Sequence, residues 1–153
     1  MPFDAMPGSL PTERDFDPDD GDLDAEYAWK MFGGMSVDEA LAKFKEHPLN
    51  RSEDFLFMGP VAFAFYFPVL HRFVRDAFDL ETHGERIVSH LAFVIRHQFQ
   101  GDSPELRTIR PDVLALAEHV LENVERFADS PKEWHRTRIN WQRMVRRLPT
   151  PAE

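Results

Sequence analysis

The sequence predicts an all-α fold: one bundle of five or six helices behind a disordered acidic tail. Three observations predict it. Apolar residues recur at three- and four-residue spacing in several separate stretches, caps and prolines punctuate those stretches, and no clear strand or internal repeat competes with them. A chain of 153 residues fits a single domain that buries about two-thirds of the surface its unfolded form exposes. Its 42% hydrophobic and 29% charged residues match a globular protein, with 14 Phe against 2 Tyr supplying aromatic core material. There is no cysteine, which excludes disulfides, thiolate metal sites and thiol nucleophiles together.

Residues 1–21 hold four prolines, two glycines and many acids with few apolar anchors, so they are expected to form a flexible tail before a helical domain over 22–149. The acidic start lacks the basic and apolar regions of a secretory signal, and a cytoplasmic location is expected. A first helix from Asp22 places Leu23, Tyr27 and Met31 on one stripe and stops at Gly33 and Gly34. The second has Ser36 and Glu39 as a capping box, Val37, Ala40, Leu41 and Phe44 as its apolar face, and Pro48 as its stop.

The stretch "MGPVAFAFYFPVLH" alternates like a strand at first, but Val69, Leu70, Phe73, Val74, Ala77 and Phe78 continue with helical spacing. A Phe-rich helix over 60–79, started by Pro60 and kinked at Pro68, reconciles the two patterns. A membrane span fails on length: the sixteen uncharged residues from Phe55 to Leu70 reach about 24 Å as a helix, against a hydrocarbon core of about 30 Å. Thr82 and Glu85 form another capping box, leading into an almost wholly apolar "LAFVI" at 91–95 that suits the domain centre. Pro111 then opens a helix with Val113, Leu114, Ala117, Val120, Leu121, Val124 and Phe127 inward. Ser130, Pro131 and Glu133 start the last helix, with Trp134, Trp141, Val145 and Leu148 facing the core.

Chemistry is sparse in this pattern. His83, His90 and His97 share a stripe, but two helical turns separate neighbours by about 10.5 Å, too far for one metal ion, and His119 with Glu122 reads as a solvated face. No metal and no cofactor is expected. Arg86 and His90, one turn apart, are the candidate catalytic pair of a helical hydrolase or nuclease, the imidazole moving a proton while the guanidinium neutralises developing charge. Tyr66 and His71 are candidates for a pocket in the Phe-rich region. Phosphate loops, G-x-S-x-G and H-E-x-x-H are missing from the sequence.

Charge is segregated. Residues 1–26 carry nine acids and one base, whereas 131–148 carry six bases and one acid, within a net charge of −9. Asp15, Asp17, Asp19 and Asp20 on one side and Arg143, Arg146 and Arg147 on the other are the candidate partner-binding residues. Arginine interleaved with tryptophan suggests nucleic acid, but the inward stripe of Trp134 and Trp141 and the overall acidity argue against it.

The run "GGMSVDEALAKFKEHPLNRSEDFLFMGPVAFAFYFP" resembles a group of small bacterial helical proteins of unknown function, through Phe55, Met58, Pro60, Ala62, Phe63, Tyr66 and Pro68. The resemblance covers about 33–75, implies a helical domain and brings no catalytic residue; Phe65 departs from it by lacking an aromatic hydroxyl. The leading expectation is a non-enzymatic interaction module, inhibitor- or immunity-like, whose acidic surface or tail engages a protein partner; a homodimer is compatible with it. The alternatives are the Arg86 and His90 enzyme, and a polyanion binder whose C-terminal basic helix is covered by the acidic tail.

Overall fold

A computed structural model describes residues 10–149, and among them every regular element is helical. Seven helices have ten residues or more: α2 (Leu23–Phe32), α3 (Val37–Glu46), α4 (Pro48–Phe57), α5 (Pro60–Arg72), α7 (Ile87–Gln98), α8 (Pro104–Glu122) and α10 (Pro131–Arg147). Three more are single turns of four residues: α1 (Glu13–Phe16), α6 (Leu80–His83) and α9 (Val124–Phe127). The all-α expectation holds among the described residues, where the count of five or six helices is corrected to ten.

Most of the difference lies where proline or a short apolar anchor was misread. Pro48 ends α3 and also occupies the first turn of α4, where its missing N–H is no loss; His47 serves both helices as the shared boundary residue. Pro111 lies inside α8, which already begins at Pro104. The Thr82–Glu85 box does not form. Thr82 instead donates to Asp79 at 2.5 Å, Gly84 turns the chain at φ 84°, and Glu85 accepts from the Asp129 amide. As a result α7 begins only at Ile87, and His83 leaves the stripe of His90 and His97. The Ser36–Glu39 box is present in both directions, at 3.1 and 2.9 Å. The Phe-rich helix is continuous through Pro68, then widens into a π-helical turn over Phe73–Ala77.

The long helices close a ring of neighbours, α3 on α4, α4 on α7, α7 on α10, α10 on α8, α8 on α5 and α5 back on α3, with α2 packed outside α4. Aromatic side chains fill the ring. Edge contacts join Trp29 to Phe16, Phe32 to Phe55, Phe55 to Phe44 and Phe44 to Phe73, with centroids 5.0–5.6 Å apart. Each adds about 0.5–1.5 kcal/mol beyond the area it buries.

Two polar side chains close joints of the bundle. The Tyr66 hydroxyl lies 2.7 Å from the Met35 carbonyl and 3.1 Å from that of Phe32, pinning the α2–α3 connection, and burial pushes its pKa up to about 12. Gln98 donates to the carbonyls of Phe55 and Met58, both at 2.9 Å, capping the end of α4. Trp141 is fully buried and donates to the Val88 carbonyl at 2.9 Å, while Leu148 is also inside; Trp134 and Val145 are only half-buried.

The expected tail needs correcting over its second half; residues 1–9 lie outside the described residues. Thr12 and Asp15 cap α1 reciprocally, and Phe16 is fully buried against Trp29 and Tyr66. The Phe16 carbonyl accepts from the Gly59 amide at 2.9 Å, and a side chain at Gly59 would strike the Asp15 carbonyl, so glycine permits this approach. On α2 the inward face is Ala25, Ala28 and Phe32; Leu23 is 77% exposed and Tyr27 47%, against the predicted stripe.

Candidate functional site

The surface of α10 departs furthest from the rest of the chain. Its buried stripe of Glu133, Thr137, Trp141 and Met144 follows i, i+4, i+8 and i+11, which turns Lys132, Arg136, Arg138, Arg143, Arg146 and Arg147 into solvent. Lys132, Arg136, Arg143 and Arg147, spaced 4, 7 and 4 residues, form one row along the helix. Glu133, its one acid, is only 8% exposed and folds back on Arg136 at 3.2 Å. That inward turn leaves no carboxylate of α10 on the cationic face. Among the described residues, Arg143, Arg146 and Arg147 form no ion pair.

The predicted acidic partner residues lie elsewhere and are partly engaged in local structure. Asp15 accepts from the Thr12 amide at 2.8 Å, and Asp17, 6% exposed, accepts from the Gly21 amide at 2.9 Å. Asp19 and Asp20 are exposed. Because α1 packs chiefly on α5 and α2, none of these carboxylates pairs with the arginines of α10 among the described residues.

Arg86 and His90 lie one turn apart at the start of α7 in different surroundings. Arg86 is exposed at the start of α7, whereas His90 turns toward Glu53 of α4, 3.6 Å away, and its buried Nε2 makes no hydrogen bond. Burial lowers the His90 pKa against the opposing pull of Glu53, which favours the neutral ring. Tyr66 and His71 also lie in different surroundings. The tyrosine is sealed at the α2–α3 connection, while His71 sits beside Phe67 and is influenced by Arg75 and Asp112.

Clefts of about 450, 300 and 230 Å³ contain none of these four residues. The cleft of about 450 Å³ is a polar recess lined by Glu13, Arg14, Asp17, Asp20 and Glu26. Among the described residues no group of three histidines or acids is placed to hold a metal ion, and no helix is long and apolar enough to cross a membrane.

One titratable group escaped the sequence reading. Asp54 is 4% exposed on the inner side of α4, with Arg51 at 3.1 Å, and burial pushes its carboxyl up to about 6 despite the opposing pull of Arg51. The Arg51 guanidinium lies 5.8 Å from the Tyr27 ring centroid. A carboxyl titrating near 6 has the pKa of a proton-transfer catalyst, but this one is closed off from solvent and so completes packing rather than serving a substrate. Only the unpredicted helix over 48–57 reveals that it faces inward.

No family model, curated protein or solved structure matches the chain.

Proposed function

We propose that this chain is a non-enzymatic cytoplasmic interaction module whose α10 face docks on an acidic surface of a protein partner. One observation carries the reading: six cations on the solvent side of a single helix, with its one acid turned inward, in a chain of net charge −9. Such a row steers an acidic partner and fixes its register, because opposite potentials attract over about a Debye length, near 8 Å at physiological salt. Arginine suits the task, since its planar fork grips carboxylates in bidentate fashion.

A protein is favoured over a nucleic acid by the tryptophans. Trp141 is buried with its N–H committed to Val88, and Trp134 is half-buried with its N–H donated to the Ala128 carbonyl at 2.7 Å, which leaves little indole surface for base stacking. The remaining chain carries a large negative excess that repels a phosphate backbone.

Capture from native lysate tests the reading, comparing the wild type with the triple variant Arg143→Gln, Arg146→Gln, Arg147→Gln. An acidic protein retained by the wild type and lost with the variant is expected. Identical captures, or none above an unrelated acidic control, would remove the basis for it. Retention of nucleic acid in place of protein would move the reading to the polyanion class.

A further inference from the structure

A cleft of about 230 Å³ opens where the segment between α1 and α2 meets the α4–α5 joint and the end of α7. Asp17, Asp19 and Asp22 line it from the first segment, and Leu56, Phe57, Met58 and Pro60 give it an apolar wall. Asp17 is only 6% exposed, so the fold holds its carboxylate in place. Its Oδ2 accepts from the Gly21 amide at 2.9 Å, and the Asp22 Oδ1 accepts from the Asp24 and Ala25 amides. Each of these two acids therefore spends one oxygen on the backbone and keeps the other. None of the three forms an ion pair among the described residues.

Gln98 points to a ligand independently of the acids. It lines the same cleft, is 9% exposed, and holds its Nε2 at 2.9 Å from the carbonyls of Phe55 and Met58 and 3.4 Å from that of Leu56. Only the NH2 end of the amide can meet three carbonyls, so its orientation is fixed. The Oε1 is left accepting no hydrogen bond among the described residues, and a nearly buried acceptor gains from any donor that reaches it.

The missing donor has to be cationic and partly apolar. Among the described residues no three acids or histidines are placed to hold a metal ion, and a hydrated metal would gain nothing from the wall of Leu56, Phe57, Met58 and Pro60. We propose that the cleft binds a primary ammonium on a short apolar body. Its N–H groups donate to the second Asp17 oxygen and to the Gln98 Oε1, and its carbon chain covers Phe57, Met58 and Pro60. Asp19 and Asp22 add attractive potential around the cleft. His97 is exposed on the rim, and a neutral imidazole there leaves the cation unopposed.

The test is an NMR titration of the full chain with n-butylammonium chloride in an amine-free buffer at pH 8, with sodium chloride at matched ionic strength as the control. Saturable shifts are expected at the Gln98 side-chain amide and at the Met58 and Gly59 backbone amides. Affinity should fall at least about tenfold in Asp17→Asn, whose side-chain carbonyl still accepts from Gly21, and several-fold in Asp19→Asn. Asp19 is exposed, so its variant tests the charge without burdening the fold, and thermal unfolding of both variants separates lost binding from lost stability. Methylammonium, which keeps the charge and lacks the apolar body, should bind at least about tenfold more weakly than n-butylammonium. Nα-acetyl-lysine methylamide distinguishes the sources of the ammonium: tighter binding than n-butylammonium assigns the cleft to a lysine of a partner chain, weaker binding to a free amine. Shifts that follow ionic strength alone, equal affinity for uncharged n-butanol, or binding undiminished in both variants would overturn the assignment. The cleft shares no residue with the α10 face, so either can fail without the other.

Discussion

Asp54 makes a quantitative prediction about pH. Its ordinary pKa of 3.8 rises to about 6 in the fold, chiefly through burial, so the folded protein binds this proton more tightly than the unfolded chain does. The stability that the neutral carboxyl contributes is fully present below pH 3.8 and is lost as the pH rises through 6. At 1.36 kcal/mol per pH unit, the interval converts to about 3 kcal/mol by pH 7.5. Asp54→Asn keeps the shape and removes the charge, with the Asn carbonyl still able to face Arg51. Urea unfolding of both proteins at pH 4 and pH 7.5 should therefore show the variant's advantage growing by about 2–3 kcal/mol between the two. The difference between the proteins isolates this one group from the other carboxylates. A difference that stays flat with pH, or a variant less stable than the wild type at pH 7.5, would refute the reasoning and place the Arg51 attraction above the desolvation cost.

Other substitutions test the joints of the bundle. Phe16→Ala should cost about 3–5 kcal/mol in denaturant unfolding, as expected of a fully buried phenyl ring, whereas an unpacked segment at 13–16 would lose almost nothing. Gly59→Ala should detach the α1 segment without unfolding the ring of helices, visible as faster proteolysis around residues 13–20 with far-UV dichroism retained. Gln98→Ala leaves the buried carbonyls of Phe55 and Met58 unpaired and should cost about 1–3 kcal/mol; a value near zero in thermal unfolding would show that water replaces the amide there.

Local signals were legible where local chemistry decided the outcome. The Ser36–Glu39 box and the Ser130 start of α10 form as the sequence reads, because each satisfies backbone amides within four residues. The Thr82–Glu85 box carries the same signal and fails, since Gly84 breaks the turn and the Glu85 carboxylate is recruited by the Asp129 amide, 44 positions away. The α1 segment was hidden for a related reason. Its single apolar anchor, Phe16, gains its burial only when Gly59 allows the backbones to meet. On α2, small Ala25 and Ala28 face inward, a choice that hydrophobicity ranking cannot see because Leu23 looks the better anchor. The basic residues of α10 were legible in the sequence, although its inward stripe takes in Glu133, Thr137 and Met144 while Trp134 and Val145 are only half-buried, whereas the dispersal of Tyr66, His71, Arg86 and His90 depends on how α5 meets α8 and α4 meets α7.

The most direct measurement places a cross-linker on the proposed face. The chain has no cysteine, so His135→Cys on exposed α10 and Glu26→Cys on exposed α2 each give a single attachment point that spares the six cations. In native lysate, the docking account predicts a discrete adduct with an acidic protein from position 135, none from position 26, and loss of that adduct when Arg143, Arg146 and Arg147 are all replaced by Gln. Equal adducts from both positions, or an adduct from 135 that survives the triple replacement, would contradict it.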